Sequence, residues 1–389
     1  MANRAGGAFR PYALNILAYA FEVTAIVPGL IVDLQGTLVR DPEMSATVVK
    51  ARLHDWSTHF SAHRFTSLFS SPDWIEILSR TYGIDIQASL LQNQSVWAAL
   101  LFSYISDVRG DRIVCLPFSD YCDPLVDNAS LWKDVLGPLA SLGVPIRLRC
   151  LRNRLAAEDP RFILSRTAKW HSTDLTRAED ELWAGLSPQA RQNIRHALRS
   201  GVVVREGRRM EDAQIFYRMH SLTRKNKYRL LAQPFVFFEN IFAVFGQGDN
   251  VAVLLAECDG VPIAGIVLLQ FRDVLYYKFN ASVDQKYRAN DLLAWHAILF
   301  GHRRALATLD FGVSETNQPG LIRYKEKFAS EEREIHFYDW VPQGLGNARD
   351  ARRDDASEIL GCVTQLLTDP AVPDEITRAA SDKLYRFFA

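Results

Sequence analysis

The chain has 389 residues, of which 45 are basic and 45 acidic, so its formal net charge is zero. This balance excludes a strong overall field that would collect nucleic acid or acidic membrane, and any such attraction must be local. Hydrophobic residues at 48% and charged residues at 23% exclude the disordered and fibrous classes, and the length favours two or more domains. The 5 cysteines include no C-x-x-C pair. This fits a reducing compartment, so we expect a cytoplasmic protein.

Residues 1–43 form an apolar but interrupted N-terminal stretch. Arg10 and Glu22 break the run between residues 9 and 32, which leaves charge-free segments shorter than the ~20 residues of a membrane-spanning helix. A basic residue before a short apolar run imitates a signal peptide, whereas the cysteine content favours the cytosol. We expect a weakly ordered extension, with Met44 as an alternative start.

Residues 44–165 predict a first half built on a small sheet. Ser71-Pro72 predicts the start of a helix that ends near Gly83. Three apolar runs separated by turn signals then predict strands. These runs are residues 84–91, 96–105 and 112–116. A helix over 130–142 and a strand over 145–151 are expected to follow.

Residues 166–330 predict a second half in which helices precede strands. The stretch 177–245 is predicted to be helical, with separate helices after Ser187-Pro188, over 210–227 and over 235–245. Asp259-Gly260 and a second turn then predict an antiparallel meander. Its strands are residues 251–257, 261–270 and 274–280. The remaining predicted elements of this half are a helix over 292–306, a strand over 308–311 and a helix over 320–328.

Residues 331–389 predict a closing strand over 334–340 and two further helices on the outside. The whole order predicts an α+β (mixed α/β) chain of two tandem halves, each a mostly antiparallel mixed sheet flanked by helices. No low-complexity linker separates the halves, so we expect an intimate interface and a shared groove.

Several short motifs occur in a characteristic order over residues 65–340. They are Ser71-Pro72-x-Trp74, Leu116-Pro117-Phe118-Ser119-Asp120-Tyr121, Leu182-Trp183-x-x-Leu186, Pro262-x-Ala264-Gly265, Tyr276-Tyr277-x-x-Asn280, Asp310-Phe311-Gly312 and Gly320-Leu321-x-x-Tyr324-Lys325. In this order they resemble FemA/FemB-like proteins and the related BioF2-like acetyltransferase domains, a branch of the GNAT acyltransferase superfamily.

The resemblance implies two GNAT-like halves and an acyltransferase of cell-envelope or polysaccharide precursor metabolism. The donor would be an acyl-CoA, an acyl carrier or an aminoacyl-tRNA, used as a co-substrate with no permanently bound cofactor. The partners would be a small or lipid-linked amine acceptor, with tRNA and peripheral membrane contact as further options and no DNA. The chain departs from the GNAT pattern at one place. GNAT enzymes bind the CoA diphosphate with a loop that contains glycine, whereas the corresponding residues 285–291 contain none.

The resemblance also implies catalytic residues. Lys325 matches the family lysine and is expected to contact the oxyanion or the leaving group. Tyr277 would protonate the leaving group, and Asp310 would orient or deprotonate the amine. Asn280, Asp120 and Tyr121 are expected to bind substrate. The alternatives are a solvated helix lysine, a packed strand tyrosine and an aspartate that caps a turn.

Residues 188–229 carry 11 basic side chains against 3 acidic ones. Arg191, Arg195 and Arg199 are spaced by four, so they form one stripe on their helix. Guanidinium groups bind phosphates, so Arg191 and Arg195 are predicted substrate-binding residues, and an ordinary solvated face is the alternative. No metal site is predicted, since His59 and His63 lack a third ligand.

The sequence therefore predicts an amide-forming acyltransferase in which an acceptor amine attacks the activated acyl group directly. No G-x-S-x-G or H-E-x-x-H motif suggests another chemistry. The alternative is a non-catalytic RNA-binding or scaffold protein that retains the GNAT fold.

Overall fold

A computed structural model describes residues 46–51, 60, 63–92 and 97–389, which belong to one compact unit, Arg40–Ala389. The expectations for residues 1–43 and for Met44 lie outside the described residues. None of the described helices is long and apolar enough to cross a lipid bilayer.

The described strands form one 12-stranded mixed sheet. In chain order they are β1 Thr47–Lys50, β2 Gln87–Gln92, β3 Trp97–Asp107, β4 Gly110–Cys115, β5 Ile146–Cys150, β6 Ile163–Asp174, β7 Val203–Gly207, β8 Val251–Cys258, β9 Val261–Phe271, β10 Val274–Ser282, β11 Thr308–Glu315 and β12 Glu331–Trp340.

Helices cover the sheet. Those described are α1 Pro72–Tyr82, α2 Ala129–Ser141, α3 Leu155–Glu158, α4 Glu179–Gly185, α5 Pro188–Arg199, α6 Met210–Leu222, α7 Phe235–Phe245, α8 Ala289–Arg303, α9 Pro319–Glu326, α10 Gly346–Leu367 and α11 Asp374–Leu384. A π-helical turn, Thr223–Tyr228, continues α6.

The sheet order is β1-β2-β3-β4-β5-β12-β6-β11-β10-β9-β8-β7. The last strand in the chain, β12, therefore lies between β5 and β6 and pairs antiparallel with both. In this way the closing strand joins the strands of the predicted first half to those of the second. The proposed boundary between residues 165 and 166 falls inside β6, and the division into halves stays a prediction.

The predicted fold class is confirmed: the chain is an α+β protein with a mixed, mostly antiparallel sheet. Only two pairs of neighbouring strands in the described sheet are parallel, β4 with β5 and β10 with β11. The meander β8-β9-β10 is antiparallel throughout. Asp259 and Gly260, at its first turn, both have positive φ angles, of 52° and 75°, as a tight two-residue hairpin turn requires.

Local signals correctly located several helix ends. The Ser71 hydroxyl accepts a hydrogen bond from Trp74 N and begins α1, which ends at Gly83 with φ 65°. The Ser187 hydroxyl accepts from Ala190 N in the same way at the start of α5. These caps depend only on neighbouring residues, so the sequence alone reveals them.

The prediction that residues 177–245 are helical was wrong at one place. Residues 203–207 form β7, which pairs with β8 at the edge of the sheet. An edge strand of five residues has too short a pattern to stand out between two helices, and pairing with β8 decides its conformation. Strand β6 was also missed, and β11 extends to Glu315 instead of ending at residue 311.

Two hydrophobic clusters cover the opposite faces of the second-half strands. Helices α6 and α7 pack on one face, where Phe216 and Phe238 are buried, together with Tyr276 of β10. Helix α8 packs on the other face with Leu293 and with the next residue of β10, Tyr277. Successive strand residues point to opposite faces, so β10 presents side chains to both clusters.

Candidate active site

The sheet opens between its two central parallel strands. Strands β10 and β11 pair over three residue pairs, and the last of these is Tyr276 with Asp310. Both strands continue, β10 to Ser282 and β11 to Glu315. Just beyond the last pair, the pairing of β10 with β9 is irregular, and so is the pairing of β11 with β6. Backbone groups on the facing edges therefore lack a strand partner there, and the opening lies where the sequence places the crevice.

Lys325 of α9 reaches this opening. The residue is 5% exposed, and its Nζ donates hydrogen bonds to Gly312 O at 2.9 Å and to Val313 O at 2.8 Å. Burial lowers its pKa to about 8, a shift that Asp120 and Asp310 oppose. The alternative of a solvated lysine is wrong, because Lys325 is buried and binds backbone carbonyls of β11 at the opening.

Asp310 is buried at the start of the opening, with 1% exposure. Its Oδ1 accepts a hydrogen bond from Gly312 N at 2.6 Å, and its Oδ2 accepts one from the Tyr121 hydroxyl at 2.8 Å. Burial raises the pKa of Asp310, and these hydrogen bonds oppose the shift. Asp310 therefore caps the turn at Gly312, as the alternative interpretation expected, and also holds Tyr121 of the first half.

Asp120, in the segment after β4, enters the same site. Its Oδ1 accepts a hydrogen bond from Lys278 Nζ at 2.7 Å, and Lys278 lies in the irregular part of β10, with its Nζ 4.5 Å from the centre of the Phe69 ring. Gly312 is needed here, because it has φ 67° and a Cβ would overlap Asp120 Oδ2. Sequence reasoning missed Lys278, although a charged residue inside an apolar strand is a usable signal.

Tyr277 and Asn280 form a second group. The Tyr277 hydroxyl accepts a hydrogen bond from Asn280 Nδ2 at 2.8 Å and lies 3.5 Å from the Tyr324 hydroxyl. The Tyr324 hydroxyl donates to Asn290 O at 2.9 Å. Burial raises the pKa of Tyr277, so the phenol keeps its proton.

The predicted residues thus divide between the two faces of the sheet. Asp310 pairs with Tyr276, so it faces the opposite side from Tyr277. Asp310 lies with Tyr121, and both Asp310 and Asp120 act electrostatically on Lys325. Lys325 and Tyr324 are successive residues of α9 and connect the two groups.

The predicted phosphate-binding arginines lie on α5 and have other contacts. Arg191 Nη1 donates to Ala184 O at 2.8 Å and to Leu186 O at 2.6 Å, and so caps the end of α4. The Arg195 guanidinium lies 5.5 Å from the centre of the Trp183 ring. These contacts involve residues 183–186 and not the residues of the opening. The surrounding basic excess is also partly paired. Its ion pairs include Arg205 with Asp212, Arg208 with Glu206 and Lys225 with Asp374.

The start of α8 is the place where the resemblance predicts binding of the diphosphate of an acyl-CoA. Free N–H groups at a helix start attract phosphate, but the first turn of α8 already carries Asp291. This carboxylate forms an ion pair with Lys327 and accepts a hydrogen bond from Asn193 Nδ2. Arg288, just before the helix, has φ 56° in a loop without glycine. These residues do not fit a diphosphate.

One group within the described residues has the composition of a metal site. Ligand atoms of His171, Glu326 and Glu332 lie within 4.8 Å of one another. However, Glu332 already holds His171 Nε2 at 3.1 Å and Lys169 Nζ at 2.7 Å. The arrangement therefore fits an ion-pair network beside Lys325, whose charge lowers the pKa of His171 after the larger effect of burial.

Comparison with known proteins matches one part of the chain to a family. Residues 187–326 match the acetyltransferase (GNAT) domain family, and this range contains β10, β11 and α9. No curated protein sequence matches the chain.

Two solved structures show that the fold is shared. The crystal structure of FemX has 13% sequence identity and a TM-score of 0.59, and the match covers 81% of this chain and 100% of FemX. A protein of unknown function from Bacteroides thetaiotaomicron has 8% identity and a TM-score of 0.54, covering 76% of this chain and 99% of its own. The predicted resemblance is confirmed to this extent: residues 187–326 match an acetyltransferase (GNAT) domain, and the chain shares the fold of FemX.

Proposed function

We propose that the chain is an N-acyltransferase in which an acceptor amine attacks an activated acyl carbonyl directly, in the opening between β10 and β11. The observation that carries the proposal is the buried Lys325, held against two backbone carbonyls of the opened strand. Direct attack needs a positioned carbonyl and a donor for the developing oxyanion, and it needs no covalent enzyme intermediate.

Lys325 is proposed as that donor. A lysine ammonium has three N–H groups, and two of them are directed at Gly312 O and Val313 O. The third is available to an acyl oxygen in the opening. A positive charge in a buried site acts strongly on developing negative charge, because little water screens it.

The other predicted residues are proposed to support this step. The Tyr277 phenol, whose pKa is raised by burial, stays protonated at neutral pH and would donate its proton to the leaving group. The attacking nitrogen loses one proton as the amide forms, and this proton would return through water to the Tyr277 oxygen, so that the step balances. Asp310 would act as a positioning residue, since both of its oxygens already hold partners. Asn280 orients the Tyr277 hydroxyl. Asp120 and Tyr121 would line the side of the opening at which the acceptor binds.

The donor and acceptor follow from the resemblance and belong to the proposal. We propose an amine acceptor from cell-envelope or polysaccharide precursor metabolism and a cytoplasmic location. The donor is an acyl-CoA, an acyl carrier or an aminoacyl-tRNA. The α8 start does not fit the CoA diphosphate, so no step depends on a CoA contact there.

The test is amide formation by the purified full chain. Labelled acetyl-CoA, or charged tRNA, is incubated with a panel of amine acceptors, and amide product is measured. Lys325→Met should lower kcat by about 10² to 10³, the usual effect of losing an oxyanion donor.

Lys225→Met is the matched control. Lys225 is also a buried lysine, 4% exposed, but it pairs with Asp374 away from the opening. Its kcat should stay within about threefold of wild type in samples whose melting curves show a folded protein. Normal turnover by Lys325→Met would remove the proposed role. No product with any donor would favour the non-catalytic scaffold.

A further inference from the structure

An aromatic side chain lies between two arginines across three neighbouring strands. Phe337 of β12 pairs with Arg149 of β5 on one side and with Arg166 of β6 on the other. Residues paired in this way share one face of the sheet. The Arg166 guanidinium lies 3.5 Å from the centre of the Phe337 ring, and that of Arg149 lies 5.7 Å from it.

Two arginines beside Arg149, Arg147 and Arg166, are each paired with an acidic residue. Arg147, two residues earlier on β5, binds Asp339 through two hydrogen bonds of 2.7 and 2.8 Å. Arg166 forms an ion pair with Glu315. Both neighbouring guanidinium charges are therefore balanced locally.

Arg149 itself has no acidic partner among residues 46–51, 60, 63–92 and 97–389. Its Nη1 donates to the backbone carbonyl of Ser119 at 2.7 Å, and its Nε is buried without a hydrogen-bond partner. Burial lowers the pKa of Arg149 to about 10, and Arg147 and Arg166 lower it further, whereas the carboxylates of Asp120 and Glu315 oppose the shift. A buried N–H without an acceptor destabilises a fold unless another group completes its hydrogen bonding.

The position of Arg149 connects this charge to the candidate active site. Ser119, which holds Nη1, directly precedes Asp120, the partner of Lys278 at the opening. Arg149 therefore lies next to the residues through which the first half enters the site.

We infer that Arg149 binds a phosphate group of the substrate, beside the opening between β10 and β11. A guanidinium presents N–H donors in a planar fork that matches phosphate oxygens, and the free Nε–H supplies one of them. The Phe337 ring and Arg166 complete the wall of the site. Calling the ligand a substrate rests on the proposed function, whereas the phosphate site itself does not.

The test uses inorganic pyrophosphate as the probe and isothermal titration calorimetry of the full chain at constant ionic strength. Wild type should bind, and Arg149→Gln should bind about 10- to 100-fold more weakly, the usual cost of losing a hydrogen bond to a charged group. Arg149→Lys, which keeps the charge and loses the fork, should be intermediate and covers the case in which the glutamine variant fails to fold.

Arg147→Gln is the control for general electrostatic attraction, because it removes a neighbouring charge that is already paired with Asp339. It should lose less affinity than Arg149→Gln. Equal losses in the two variants, no binding by wild type at millimolar pyrophosphate, or equal competition by acetate would each overturn the inference. The titration involves no acyl transfer, so failure of the phosphate site and failure of the proposed function are distinguishable.

Discussion

Lys325 shows how burial changes the chemistry of a single residue. A lysine on an eight-residue helix is expected to be solvated, yet this one is buried against two carbonyls, and its pKa falls to about 8. Its protonation state therefore changes near physiological pH, whereas an exposed lysine would stay charged.

This shift predicts the sign of a pH dependence. Lys325 is charged below about pH 8 and neutral above it. An oxyanion donor works best when charged, so kcat should fall as the pH rises through about 8. The measurement is a pH profile of kcat for wild type and for Lys325→Arg, which stays charged throughout.

Any activity retained by Lys325→Arg should lack the fall near pH 8. A fall near pH 8 that persists in Lys325→Arg would contradict the donor role, because the titrating group would then not be Lys325.

Motif matching identified some residues of the site but not others. Lys325, Asp310, Asp120 and Tyr121 were found because they stand in motifs of the FemA/FemB-like order. Lys278 stands within a motif without being part of it, and its pairing with Asp120 joins residues 158 positions apart. A local sequence pattern cannot reveal a contact between residues so far apart in the chain.

At the scale of elements, the turn of β11 at Gly312 depends on a residue without a side chain. Its φ of 67° and its contact with Asp120 both disfavour a Cβ. Gly312→Ala should therefore lower the free energy of unfolding by about 1 to 3 kcal/mol and disturb the Asp120–Lys278 pair. Denaturant unfolding measures this change.

Gly320→Ala is the matched control, since no heavy atom lies within 4 Å of its Cβ position and it lies in α9. It should unfold within about 0.5 kcal/mol of wild type or be more stable. Equal stability of the two variants would contradict the structural role of Gly312.

Elements with strong local signals were predicted well, and those that depend on partners were not. The caps of α1 and α5 and the hairpin turn at Gly260 are determined by residues next to them in the chain. Strand β7 depends on β8, and the opening between β10 and β11 depends on where their pairing stops. Pairing is a long-range property, and propensity alone cannot locate its end.

At the scale of the molecule, α11 and the residues after it contact distant parts of the chain. Asp374 at the start of α11 forms an ion pair with the buried Lys225 at 2.6 Å. Tyr385 stacks on Tyr82, with ring centres 6.1 Å apart. The predicted outer position of this helix therefore does not make it dispensable.

Removing residues 374–389 should lower the melting temperature, because it exposes an apolar surface and leaves Lys225 without its carboxylate. Removing one partner of a fully buried ion pair costs about 3 to 5 kcal/mol, and the loss here should be smaller because the Asp374 side chain is 43% exposed. Differential scanning calorimetry measures this change. Asp374→Asn isolates the ion pair and should show part of the loss. An unchanged melting temperature in the shortened chain would contradict the role given to α11.

The sequence by itself determined the fold class, most helices and meander strands, and the motif residues of an acyltransferase domain, because these depend on hydrophobic period, caps, turns and motif order. Only the tertiary structure decided that β12 joins the two sets of strands, that Lys325 is buried, that Arg191 caps a helix and that Arg149 forms no ion pair among the described residues. Burial and charge balance depend on residues far apart in the chain, and these are brought together only when the sheet forms.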